Sequence, residues 1–320
     1  MKNLIFPIGI LLAAVVALVF PNVFTQLGNF PLTQLIVPLL MLIMFGMGTS
    51  LSFGDFKRVV SMPKNVGIGL LCQYTIMPIL GFSLAVMSGL PAEIAAGVIL
   101  VGCSPGGLAS NVMAYISGAN LALSLTLTAF STLLAPFLTP MLMSLLADHF
   151  VEIDAFQMFW SISKIVILPV VAGLLFHHFL SQRVPILNTI MPIVSMLGIV
   201  VVIAIITAAG RDSLLSIGLI LIAVVIIHNV AGILIGYVAA KLINMSESDA
   251  RAIAFEVGMQ NSGLASGIAV SLGKVATLGL APALFGPFMN IFGSLVASYW
   301  RANGSLKSLQ EVKTQQVDNN

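Results

Sequence analysis

Of the eleven carboxylates in this 320-residue chain, Glu256 alone falls near the middle of a long apolar stretch. Asp55, Glu93, Asp148, Glu152, Asp154, Asp212, Glu247 and Asp249 sit in connections or at the ends of apolar runs, and Glu311 and Asp318 in the C-terminal tail. A carboxylate at the centre of a bilayer costs at least ~2.5–3.5 kcal/mol on insertion scales, so a group kept there is by default a functional one. Two chemistries suit it: holding a small hard cation, or carrying a proton. The bland alternative is a neutral glutamic acid bonded to a neighbouring helix. The oxygen donors at hand favour the cation. Gln73, Ser110, Asn111, Ser124, Thr128 and Gln260 all place hydroxyls or amides within apolar runs, and hard cations prefer such ligands. A proton relay would need fewer oxygens and more titratable groups. Any one Ser or Thr in a helix commonly bonds the carbonyl four residues back, so only the cluster carries weight.

The remaining reactive side chains form no second centre. Cys72 and Cys103 lie in separate apolar runs and read as free thiols, neither a disulfide framework nor a metal pair. His228 has no second His or Cys at ligand spacing and reads as a packing residue; His177 and His178 read as interfacial. Lys164, inside an apolar run, reads as a snorkelling or paired cation. An intramembrane protease would need paired Asp within spans, a Ser–His pair or a His-Glu-x-x-His run, and none is present. Nothing in the sequence implies a nucleic-acid or protein partner.

The elements that position these residues follow from composition. Hydrophobic residues are 59% of the chain and charged residues 8%, against about 25% charged in soluble domains. Runs bounded by Pro, Gly, Asn or charge predict an all-α polytopic membrane protein with ten spans at about 4–20, 32–51, 66–88, 93–117, 120–146, 156–180, 186–208, 214–242, 247–272 and 278–301. Beyond them, residues 303–320 are polar and read as a disordered tail. Alternating the connections between faces puts Lys2, Lys57, Arg58, Lys64, Arg183, Lys241, Arg251, Arg301, Lys307 and Lys313 on one side, against Arg211 and Lys274 on the other. That asymmetry predicts a multi-pass inner-membrane protein with both termini in the cytoplasm.

The run Val101-Gly-Cys-Ser-Pro-Gly-Gly-Leu-Ala-Ser110 repeats as Val257-Gly-Met-Gln-Asn-Ser-Gly-Leu-Ala-Ser266, six of ten positions identical at an offset of 156. The same offset sets Gln73 over Asn229 and spans one to five over six to ten. Five is odd, so the halves 1–150 and 151–302 must cross the membrane in opposite senses, an inverted repeat. Small residues alone would explain the run as close helix packing. Here, however, breakers fall mid-span in both halves, Pro105-Gly106-Gly107 and Gln260-Asn261-Ser262-Gly263. Unwound backbone survives in a membrane only where protein or a wet cavity surrounds it, so the breaks of spans four and nine should face each other inside the protein. The starts of half-helices suit an anion, and their ends and loose carbonyls suit a cation. A channel would need a ring of charges rather than one carboxylate between two breaks.

The Gly-Cys-Ser-Pro-Gly-Gly-x-Ala-Ser-Asn run at 102–111 and the Glu-Val-Gly-Met-Gln-Asn-Ser-Gly-Leu-Ala run at 256–265 resemble the signatures of bacterial bile acid:sodium symporters. The resemblance spans nearly the whole chain. It implies a Na⁺-coupled symporter working by alternating access, with a panel domain (spans 1, 2, 6 and 7), a core domain (spans 3–5 and 8–10), and the broken spans four and nine crossing at the midplane. It also implies two co-transported Na⁺ ions: one held by Ser110, Asn111, Ser124, Thr128 and Glu256, the other by Gln73, Glu256, Gln260 and the carbonyls of Val257 and Met259. The cargo would be an organic anion, a bile acid or a smaller acid such as pantoate. It would lie near Asn261 and Asn290, at the half-helix starts around Gly107, Leu108 and Gly263.

Overall fold

Helices fill the chain wherever apolar runs meet a start or stop signal. The computed structural model describes residues 5–180 and 186–318. Its helices are α1 (Ile5–Val19), α2 (Pro21–Thr25), α3 (Ile36–Thr49), α4 (Phe53–Ser61), α5 (Pro63–Ser88), α6 (Ala92–Cys103), α7 (Leu108–Ser117) and α8 (Leu121–Ala147). They continue with α9 (Ala155–Ile162), α10 (Leu168–Leu180), α11 (Ile186–Ala209), α12 (Arg211–Leu242), α13 (Glu247–Gly258), α14 (Ser262–Ser271) and α15 (Leu280–Asp318). Among the described residues, six segments are long and apolar enough to cross a membrane, which makes this an all-α, multi-pass membrane protein. Lys2 and Arg183 lie outside the described residues, as do the side chains of Lys307 and Lys313.

Local chemistry sets the boundaries. Pro63 opens α5, Asn120 caps α8 by accepting from the Leu123 N–H, and Asp154 caps α9 likewise. Such caps satisfy donors that a helix start leaves free. Gly118 ends α7 in the left-handed region, φ 69°, a conformation that is strained for residues with a Cβ.

Three features were not legible beforehand. A short amphipathic helix, α4, fills the connection after α3, closed by a Ser52–Asp55 capping box. A two-stranded ribbon, β1 (Gln26–Leu27) and β2 (Phe30–Pro31), turns at Gly28. A π-turn over Ser163–Ile167 joins α9 to α10 and carries the exposed Lys164. The backbone of α15 runs on through the tail to Asp318, where composition predicts disorder. After Gly304 that stretch holds helix formers and no proline, so local propensity permits the continuation.

Packing separates two groups. In one, α3 packs against α10 and α11, and α11 against α1. In the other, α12 and α13 pack on α5, and α15 on α7 and α12. Contacts of α14 with α3 and α9, and of α8 with α9, join the groups beside the two interrupted helices.

Candidate functional site

The first interruption begins where Ser104 precedes Pro105. Proline's ring disfavours helical backbone in the residue before it, and Ser104 is extended at ψ 155°. The second interruption spans Met259 and Gln260, and Asn261 then caps α14 through the Leu264 N–H at 3.0 Å. The two stretches pair with each other. Gly106 and Gln260 form an antiparallel bridge, the Gly107 N–H donates to Met259 O at 2.9 Å, and the Asn261 N–H donates to Pro105 O at 2.8 Å. Each break thus supplies the backbone partners that the other has lost, as burial demands.

Glu256 lies one turn before the second break, 1% exposed. Its Oε2 accepts from Ser110 Oγ and Thr128 Oγ1, both at 2.8 Å, and Oε1 accepts from Ser131 Oγ at 3.4 Å. Beside it, Asn111 Oδ1 accepts from Ser124 Oγ at 2.7 Å and Thr128 Oγ1 at 3.3 Å. Ser110, Asn111, Ser124, Thr128 and Glu256 therefore converge from α7, α8 and α13. A Cβ on Gly106 would overlap the Glu256 carboxylate. Only glycine lets the first break come this close. Among the described residues no Lys, Arg or His pairs with Glu256. A buried charge met only by neutral hydroxyls still needs a cation or a proton.

A second oxygen cluster adjoins the first. Gln73 Nε2 donates to Gln260 Oε1 at 2.7 Å and to Ser104 O at 2.9 Å. Gln260 Nε2 donates to Val257 O at 2.7 Å. Gln73 Oε1 is buried with no hydrogen-bond partner among the described residues. Val257 O and Met259 O each accept one of the bonds named above, and a carbonyl oxygen has two lone pairs. All the anticipated cation-side residues thus fall into two adjoining groups about Glu256.

The anticipated anion-side residues are less unified. Gly107, Leu108 and Gly263 do sit at the starts of α7 and α14, and α7 has no side-chain cap. Asn261 lies there too, its Nδ2 4.0 Å from Met44 Sδ of α3. Asn290, by contrast, spends its amide on Gly286 O of its own helix at 2.8 Å. His228 Nε2 meets Met77 O at 3.1 Å, in keeping with a packing role.

Two participants were missed. Ser131 falls on the face of α8 that carries Ser124 and Thr128, at spacings of seven and three, so helical periodicity could have found it. Tyr74 donates to Ser131 O at 2.6 Å; its one sequence signal is adjacency to Gln73.

Residues 37–217 match the Sodium Bile acid symporter family. The chain is 43% identical to the "Uncharacterized sodium-dependent transporter YocS" of Bacillus subtilis (strain 168), over 92% of this chain and 90% of that protein. It is 35% identical to the "Probable sodium/metabolite cotransporter BASS1, chloroplastic" of Oryza sativa subsp. japonica, over 93% of this chain and 72% of the relative. The Arabidopsis thaliana protein of the same name is 32% identical, over 92% and 73%.

Proposed function

Since this chain belongs to the sodium bile acid symporter family, we propose that it is a Na⁺-coupled carrier that imports an organic anion by alternating access. The observation that carries the reading is Glu256: a buried carboxylate with hydroxyl donors, no basic partner among the described residues, and two oxygen clusters around it. We assign one Na⁺ to Ser110, Asn111, Ser124, Thr128 and Glu256, and a second to Gln73, Glu256, Gln260 and the carbonyls of Val257 and Met259. The unpartnered Gln73 Oε1 supports the second assignment.

In this reading the pairs α6/α7 and α13/α14 each count as one broken span. The membrane part is then ten spans in two inverted halves, both termini lie in the cytoplasm, and the membrane is the bacterial inner membrane. The group α1, α3, α9–α10 and α11 is the panel, and α5–α8 with α12–α15 is the core. The site lies at the crossing of the breaks, so rocking of one group against the other would open it to alternate sides. Asn261, Asn290 and the helix starts at Gly107, Leu108 and Gly263 face the anion, a bile acid or small carboxylate, because free N–H groups favour negative charge.

Two Na⁺ with a monoanion carry one net charge, worth ~2.3 kcal/mol per 100 mV of membrane potential. Uptake of a trial panel of bile acids and small carboxylates into proteoliposomes should be faster with the inside negative and steeper than first order in Na⁺. A proton-coupled carrier, the second reading that an unpaired buried carboxylate allows, would instead take up anion under a pH gradient without Na⁺. That result would replace the Na⁺ assignment.

A further inference from the structure

We infer that Ser131 and Tyr74 are positioning residues that hold Glu256 between the two ion positions and make each position sense the other. The inference rests on the sodium reading above and extends it to residues that reading does not use.

The geometry starts at Glu256. Its Oε2 is held on one side by Ser110 and Thr128. Its Oε1 has a single donor among the described residues, Ser131 Oγ at 3.4 Å. Ser131 is fully buried, and its hydroxyl has a second acceptor, Thr128 O, at 3.2 Å. A serine has one hydroxyl proton. When a cation takes Oε1, that proton can turn to Thr128 O without being orphaned, leaving a lone pair free to face the ion. When the cation leaves, the proton can turn back to the carboxylate. Ser131 therefore suits both the loaded and the empty carrier.

Tyr74 fixes where that serine sits. Its hydroxyl donates to the Ser131 carbonyl at 2.6 Å, tying α5 to α8 one turn past Thr128. Tyr74 follows Gln73, whose amide bonds Gln260 and Ser104 in the other cluster. Two successive residues of α5 thus touch the two clusters separately, while Gly106 lies between them, against the Glu256 carboxylate and bridged to Gln260. A shift of α8 on filling the first position is transmitted through Tyr74 to Gln73 in the second. Such coupling is reciprocal at equilibrium.

Purified full-length protein, titrated with Na⁺ against K⁺ at constant ionic strength, tests this by thermal unfolding with Na⁺ alone as the probe. The readouts are the Na⁺ concentration of half-effect and the steepness of the response, which loss of general stability does not set. Ser131→Ala removes the lone pair that faces the ion, and Tyr74→Phe releases the serine's backbone from α5; each should raise the half-effect concentration by about two- to tenfold, the worth of one polar contact, and flatten the response toward first order. Ser131→Thr keeps the hydroxyl and should restore both. Unchanged half-effect and steepness in the two variants, or no rescue by threonine, would overturn the inference while wild type still responds to Na⁺. If Ser131→Ala does not fold, Tyr74→Phe carries the test alone. A wild type that ignores Na⁺ overturns the sodium reading and this inference together.

Discussion

The interruption between α6 and α7 and the one between α13 and α14 occupy equivalent places, yet they are built differently. The first is made by backbone: Pro105 stops α6, and Gly106 and Gly107 let the chain pass against its partner. The second is made by side chains: Gln260 bonds back to Val257 O, and Asn261 caps α14. The position of Glu256 in the second half is Leu100 in the first, and that of Gln260 is Ser104. Even so, the two polar residues related by the same offset do matching work. Gln73 donates to Ser104 O at the first break, and Asn229 donates to Gly258 O at the second, at 2.7 Å. The halves share a frame and divide the chemistry. One contributes the charge, and the other contributes the neutral oxygens of Ser110, Asn111, Ser124 and Thr128. In the proposed assignment neither half holds a cation site alone, so ion binding should report on how the halves are docked.

The largest effect should come from removing the charge that breaks the symmetry. Glu256→Gln keeps the shape and the folded protein but should abolish Na⁺-induced stabilisation and Na⁺-dependent uptake. Glu256→Ala should do the same. Retained Na⁺ dependence in Glu256→Gln would show that the two halves do not differ in the way proposed.

An intermediate effect should separate the repeat-mates Gly107 and Gly263. A Cβ on Gly107 would come within 2.9 Å of Gln260 O, which is backbone and cannot turn aside, whereas one on Gly263 would meet nothing closer than 3.5 Å. Gly107→Ala should therefore part the breaks and weaken Na⁺ binding by tenfold or more, about 1.4 kcal/mol. Gly263→Ala should leave Na⁺ binding near wild type. Equal losses in the Na⁺ titration would remove the distinction between the breaks.

The smallest contrast concerns Gln73 and Asn229. Asn229→Leu leaves Gly258 O without its amide donor and should cost about 1–3 kcal/mol of stability. It should leave the steepness of the Na⁺ response unchanged. Gln73→Leu should cost similar stability and in addition reduce that response to first order, because only Gln73 carries an oxygen assigned to an ion. Thermal unfolding across a Na⁺ series reads both quantities.

Much of this was legible beforehand, and what was not has a common cause. Apolar runs and breakers are local, so the helices fall within a few residues of their expected places, from Ile5–Val19 to the start of α15 at Leu280. Glu256 stood out because an isolated carboxylate in a span is expensive wherever the chain goes. The short helix α4 escaped notice because its stability rests on one capping box and an amphipathic face rather than on an apolar run. Asn290 was expected to line the cavity near the crossing, and the structure adds that its Nδ2 donates to Gly286 O one turn back on α15. A polar residue in a span can always use its own helix, and sequence does not reveal which choice it makes.

By itself, the sequence determined the solvent, the spans, the two breaks and the one charge that must be compensated. Each of these follows from the free energy of putting a residue type into hydrocarbon or into a helix. The tertiary structure decided which break bonds to which, and that Ser110 reaches a carboxylate 146 residues away. It also decided that Tyr74 and Ser131 belong beside Glu256 at all. Those outcomes depend on how α5, α7, α8 and α13 dock. Docking is set by the summed packing of whole helix faces, and no local propensity encodes that sum.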